Sequence, residues 1–174
     1  GKEIHEVDGL YKVEGPYVVE VTLEDGTTTK FDSWSSAFKT ATAQYKNATV
    51  TLLKDIETTS QVSTFATVTI DFNGHTLTVT GSGVAAITAL TKGTAANVTL
   101  MDSVGIGGMK TTGVYGGTVK GSNTTLTIEN GNYNCDTSVV QVEKPASGVA
   151  TAYIKGGTFK TEDTDKKFLL NCID

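Results

Sequence analysis

One pattern recurs five times and constrains the fold more than any other feature of the chain. It is a short strand in which apolar and polar residues alternate. ATVTLLKDI at 48–56 is followed by ATVTIDFNG at 66–74, ANVTLMD at 96–102, TTLTIENGNY at 124–133 and TAYIKGGTF at 151–159, where Tyr153 takes the place usually held by Thr. Alternation with period 2 gives each copy one buried and one wetted face. The aligned inward residues are Leu52, Ile70, Leu100, Ile128 and Ile154, whose numbers step by 18, 30, 28 and 26. A unit of that length holds two or three short strands and cannot bury its apolar face alone. Neighbouring units must therefore stack around one continuous core. Further strand candidates lie between the copies, at 84–90, 138–143 and 167–173. That makes about three strands per period, the content of a parallel β-helix coil.

The stretch TVTIDFNGHTLTVTG at 67–81 admits a local competitor, an antiparallel hairpin turning at Asn73-Gly74. The pair recurs, as Asn130-Gly131, as Gly156-Gly157, and as Gly116-Gly117 in a shorter echo, VYGGTV at 114–119. A coil corner needs a positive-φ residue just as a hairpin does, and the recurrence favours the corner. The residue two past the glycine is then Val119, Tyr133 or Phe159, and Leu77 after one inserted residue. In a solenoid these are expected to stack on one another inside.

Ahead of the repeats, residues 1 to 16 read as a polar leading arm. Val19, Val21 and Leu23 alternate up to Asp25-Gly26, and a second short run follows at 27–31, which predicts a hairpin. Asp32 or Ser33 is placed to cap a helix carrying Trp34, Ala37, Phe38, Ala41 and Tyr45 on one face, with Asn47 as its left-handed stop. Trp34 reads as the anchor of that helix on a core. Hairpin and helix together would cover the first coil, whose open edges would otherwise invite aggregation. The chain thus divides into an arm, hairpin and capping helix at 1–46 and β-helix coils at 47–174. No comparable device follows the strand-like run at 168–173, which implies a longer array or a partner at that end.

Taken together, EVTLEDGTTTKFDSWSSAFKTA, NATVTLLKDI, VTIDFNGHTLTVTG, LTIENGNY and YIKGGTF resemble the right-handed parallel β-helix repeats of bacterial surface and secreted proteins, the pectin-lyase-like shape. The resemblance covers residues 17–160 and speaks to architecture far more than to activity. It implies an extracellular or cell-surface location. It also implies where chemistry would sit: polysaccharide enzymes of this shape use outward carboxylates on neighbouring coils, and the lyases add a calcium cluster and an arginine base. All 14 basic residues here are lysines, so that base is missing.

The residues that remain for catalysis are few. A hydrolase needs two carboxylates roughly 5–10 Å apart. Asp71 and Glu129 follow inward isoleucines at the same register, about two coils and ~10 Å apart. Lys155 beside Glu129 reads as a surface ion pair, and His75 after the Asn-Gly corner as a solvated side chain. Two histidines cannot form a three-histidine metal site. Asp102, Asp163 and Asp165 lie near turns without a DxDxDG calcium loop, so no metal and no cofactor is expected. Cys135 and Cys172 are either a disulfide, hinting at an oxidising compartment, or two buried thiols. The Thr-x-Thr pairs raise ice binding, against which the irregular coil spacing speaks; Asn47, Asn97 and Asn123 match glycan acceptors only formally.

A net charge of −5 with no basic run leaves no footprint for nucleic acid. No apolar run is long enough to insert across a membrane as a helix. The reading is therefore a non-catalytic structural or recognition segment of a secreted or surface-attached bacterial protein, with polysaccharide or a host or cell-surface protein as partner. A polysaccharide hydrolase using Asp71, Glu129 and His75 is the alternative, and a trimeric phage fibre or tailspike segment is another.

Overall fold

The computed structural model describes residues 3–7, 10–43, 47–161 and 169–173. The chain opens with β1 (Glu3–Val7) and β2 (Leu10–Glu14), paired antiparallel with each other. The leading arm expected at 1–16 thus carries a strand pair, with Glu3 opposite Glu14 and Val7 opposite Leu10. Next come β3 (Val19–Leu23) and β4 (Thr28–Phe31), turning where the Asp25 carboxylate accepts the Thr27 N–H at 2.9 Å and Gly26 takes φ +83°.

Helix α1 (Trp34–Ala41) is capped by the Ser33 hydroxyl, which accepts the Ser36 N–H. It ends at Thr42, whose hydroxyl and N–H both bond the Phe38 carbonyl. Asn47 is therefore not the stop: the side chain of Thr42 satisfies the last turn first, and Asn47 instead donates to Glu24. Tyr45, the last expected member of the apolar face, lies outside the described residues.

The coils follow in order. The first comprises β5 (Ala48–Leu52), β6 (Ile56–Thr58) and β7 (Val62–Thr64); the second β8 (Thr67–Asp71), β9 (Thr76–Thr80) and β10 (Ala85–Ala89). A small excursion, β11 (Thr91–Lys92) and β12 (Thr94–Ala95), leads to the third: β13 (Asn97–Met101), β14 (Gly108–Thr112) and β15 (Tyr115–Val119). The fourth holds β16 (Thr125–Ile128), β17 (Asn132–Cys135) and β18 (Val140–Glu143), and the last β19 (Thr151–Ile154), β20 (Thr158–Lys160) and β21 (Leu170–Ile173). Corresponding strands pair in parallel to form three sheets, ordered β19-β16-β13-β8-β5-β3-β4, β20-β17-β14-β9-β6 and β21-β18-β15-β10-β7. This is an all-β parallel solenoid of about four turns, the four steps that join its five stacked rungs, with a strand pair and one helix at its start.

Period-2 patterning sets the register, because a slip of one residue would turn every apolar side chain outward. The inward column runs Val50, Ile70, Leu100, Ile128, Ile154. Val50 thus replaces Leu52 as its first member, and the first coil is correspondingly longer than the Leu52–Ile70 alignment implies. Leu52 extends the strand by one further inward position and is fully buried beside Phe72 in the same core. In the second sheet Ile56, Leu77, Met109, Tyr133 and Phe159 stack as a second column. Leu77, Tyr133 and Phe159 are there as expected, but Val119 is not. VYGGTV forms β15 in the third sheet, between Ala89 and Val142. Its glycines answer a different demand: a Cβ on Gly117 would press against the Leu126 side chain at 2.6 Å.

The competition at Asn73-Gly74 resolves in an instructive way. Both residues have positive φ, +49° and +81°, and His75 N–H bonds the Phe72 carbonyl at 2.8 Å. The backbone is that of a hairpin turn, yet the strands it joins, β8 and β9, belong to different sheets. At the start of the solenoid, β3 pairs antiparallel with β5 and extends the first sheet. Trp34, Ala37, Phe38 and Ala41 are buried with Val19, Val21, Val50 and Leu52. Hairpin and helix therefore cap the first coil.

Candidate functional site

The outer face of the first sheet carries the expected carboxylates. Its third outward column runs Glu20, Thr51, Asp71, Met101, then Glu129 and Lys155 beyond the last paired positions. Asp71 and Glu129 are two rungs apart, about 10 Å at the spacing of paired strands, with Met101 between them. Asp71 Oδ1 accepts the N–H groups of Asn73 at 2.9 Å and Ser103 at 3.0 Å. Glu129 Oε1 accepts from Lys155 Nζ at 2.7 Å, an exposed pair worth less than about 1 kcal/mol. His75 lies at the corner, its Nδ1 3.5 Å from Asp55 Oδ1, and Asp55 also accepts the Thr76 N–H. The three candidates are thus held by separate local partners and do not converge on one point.

The neighbouring outward column is Thr22, Thr49, Thr69, Thr99 and Thr127, ending at Tyr153. Irregular coil lengths are absorbed at the corners, so the threonines stay in register after all. What breaks a flat ice-like face is the flanking charge of Glu20, Asp71, Glu129 and Lys155 together with Tyr153.

Asp102 is no calcium ligand in waiting. Its side chain is buried, Oδ1 accepts the Gly74 N–H at 2.6 Å, and Oδ2 accepts those of Gly105 at 2.7 Å and Gly107 at 2.6 Å. Burial pushes this carboxyl up, but the N–H groups of Gly74, Gly107, Gly105 and Val104 outweigh it, and the net position is below the ordinary carboxylate value. Asn130 of the next coil ties on in turn, accepting the Asp102 N–H at 2.6 Å and donating to its carbonyl at 3.1 Å. Asp163 and Asp165 lie outside the described residues. Among the described residues no group of three metal-ligating side chains is assembled.

The cysteines are free thiols in different sheets, Cys135 buried in β17 and Cys172 exposed in β21. Burial pushes the Cys135 thiol up to about 11, far from the thiolate a nucleophile needs.

The loop that Asp102 holds has a second effect, on the outer face of the second sheet. Thr76, Gly108, Asn132 and Thr158 share one outward column, and Lys110, Asn134 and Lys160 the next. Together with Ile106 at the lip they line a cavity of about 300 Å³. Ile106 is largely exposed because Gly105 and Gly107, both bonded to Asp102, carry the loop outward there. Gly108 keeps the floor flat, since a Cβ at that position would overlap the Asn132 carbonyl oxygen. The lining offers hydroxyl, carboxamide and ammonium groups and no carboxylate, with the side chains of Met109 and Tyr133 buried beneath it.

This groove escapes a reading for catalytic spacings. Its signal is the pair of residues flanking each inward member of the second column after Ile56: Thr76 and Thr78, Gly108 and Lys110, Asn132 and Asn134, Thr158 and Lys160. Assigning Val119 to that column hides the pair Gly108 and Lys110.

No family model matches the chain, and neither does any curated protein or solved structure.

Proposed function

We propose that the chain is a non-catalytic recognition segment of a secreted or cell-surface bacterial protein, and that its ligand is an extended glycan lying along the second sheet. The observation that carries this reading is the groove: hydroxyl, carboxamide and ammonium side chains of Thr76, Lys110, Asn132, Asn134, Thr158 and Lys160 follow one another over successive rungs. A polymer of sugar units presents its hydroxyls and ring faces with a comparable regularity. Lys110 and Lys160 among the lining residues favour acidic over neutral glycans in a chain whose net charge is −5. The separation of Asp71, Glu129 and His75 leaves the hydrolase reading without a converged centre to build on.

The test is affinity electrophoresis against uronic-acid, sulfated and neutral polysaccharides, run beside an assay for released reducing ends. Acidic polysaccharide is expected to retard the protein without being cleaved. Replacing Lys110 and Lys160 together by alanine should weaken binding about tenfold, the loss of two exposed charge-assisted contacts. Absence of retardation by every polymer, or retardation unchanged in the double variant, sinks the proposal. Cleavage that disappears in Asp71→Asn and Glu129→Gln would replace it with the hydrolase.

A further inference from the structure

Ile106 stands at the lip of the groove with 74% of its surface exposed. A lone exposed isoleucine on a freely moving segment would call for no explanation. The loop that carries this one is tied down at every second residue. Asp71 Oδ1 accepts the Ser103 N–H at 3.0 Å, and Asp102 Oδ2 accepts those of Gly105 at 2.7 Å and Gly107 at 2.6 Å. The Gly107 carbonyl accepts the Asn132 N–H at 2.9 Å, and the Gly108 N–H reaches the His75 carbonyl at the same distance. Val104 braces the loop against Gly74, where an added Cβ would lie 3.2 Å from the valine side chain. Backbone bonds on both sides of Ile106 therefore fix where its side chain emerges.

The groove also has a polarity across its width. β14 places Gly108 and Lys110 on the outer face, about 7 Å apart at the spacing of alternate strand residues. Ile106 precedes that pair. The order across the groove is thus an apolar side chain, a residue without a side chain, and an ammonium group. Thr76 and Asn132, on the rungs to either side of Gly108, add a hydroxyl and a carboxamide. A sugar ring has a matching asymmetry. Its C–H groups make one face apolar, while hydroxyls and an acidic substituent lie around the rim. A wall already held in place gives its apolar contact without the entropy cost of ordering a loop.

We propose that Ile106 is a specificity residue of the groove, packing on the apolar face of one sugar ring whose acidic substituent reaches Lys110, and that Asp102 is its positioning residue. The role given to Ile106 rests on the reading of the groove as a glycan site. Asp102 is buried and touches no ligand. It acts through Gly105 and Gly107, the residues on either side of Ile106, whose N–H groups it accepts.

Affinity electrophoresis through polygalacturonate and through dextran sulfate tests it, using the polymer that retards the parent protein. Ile106→Ala changes an exposed side chain and should weaken binding about tenfold. Asp102→Asn, compared at a temperature where its circular dichroism matches the parent's, should weaken binding by a similar factor. The variant carrying both changes should bind no worse than the weaker of the two, because Asp102 acts through Ile106. Fully additive losses overturn the positioning role. Binding unchanged in Ile106→Ala but weakened in the Lys110 and Lys160 double variant overturns the proposal and leaves the glycan reading standing. Retardation by neither polymer overturns both. Hydrogen exchange reads the loop without ligand. The Gly105 and Gly107 amides should exchange slowly in the parent and in Ile106→Ala, and faster in Asp102→Asn. Fast exchange of these amides in the parent refutes the role of Asp102 even where the variant fails to fold.

Discussion

Asp102 shows how one carboxylate can organise a corner. A buried charge is tolerated only when its hydrogen-bonding capacity is filled. Here three backbone N–H groups from two successive coils point at its two oxygens. In Asp102→Asn one of those oxygens becomes an NH₂ that confronts N–H donors. A loss of about 1–3 kcal/mol in stability is expected, the cost of leaving buried donors unsatisfied, and urea unfolding at neutral pH measures it. The pH dependence has a definite sign. The folded-state pKa of Asp102 lies below its unfolded value. Its contribution is therefore complete above the ordinary carboxylate pKa and lost as pH falls through the depressed one. The gap between parent and variant should narrow in that acidic window; a gap of constant size down to low pH would contradict this account. In the sequence Asp102 is legible only as an acid near a turn, because its partners come from its own loop and from Gly74 in the coil before. Asp71 and Glu129 do share one outer column, as their register predicts, but sequence cannot show that each is already engaged locally.

At the scale of elements, α1 illustrates pattern and packing acting together. Its spacing of Trp34, Ala37, Phe38 and Ala41 makes one apolar stripe, and that stripe is the buried face. Trp34 and Phe38 meet with ring centroids 5.5 Å apart. The Trp34 indole N–H is buried without an acceptor. Trp34→Ala should thus cost about 3–5 kcal/mol through the cavity it leaves. Trp34→Phe keeps most of the apolar volume and removes the orphaned donor, so it should cost far less. Equal losses in thermal unfolding of the two variants would show that the indole N–H is satisfied in solution. The helix ends before the expected stop because side-chain capping by Thr42 competes with a left-handed residue, and both residue types are available. The strands are easier to read. Alternation in VTI, VTL and LTI fixes the face of each, and Thr, with its β-branched side chain, fits the outward positions.

For the whole molecule, the organising fact is that neighbouring strands of each parallel sheet are joined only by a complete circuit of the coil. Most stabilising contacts are therefore distant in sequence, which makes folding slow and leaves edges exposed on the way. The cap answers part of that hazard by pairing β3 with the otherwise free edge of β5. Deleting residues 17–43 should uncover that edge together with Val50 and Leu52, and light scattering should then report aggregation at concentrations where the parent chain is clear. A truncated protein that stays dispersed would show that the cap is dispensable.

By itself, the sequence determined the solenoid, the outward threonines, the apolar stacks of the first sheet and the existence of a cap, because each follows from local alternation or helical spacing that survives whatever the distant chain does. The tertiary structure alone decided the register of the first coil, the assignment of VYGGTV to the third sheet, the occupied state of Asp102 and the groove beside Met109 and Tyr133. Those depend on how much chain each corner absorbs, and corner length is not periodic: the corner at Asn73-Gly74 is a tight turn, where its counterpart after Asp102 is a whole loop. Groups that share a site in a solenoid lie one coil apart in sequence, so an uneven coil hides the site while leaving the fold in plain view.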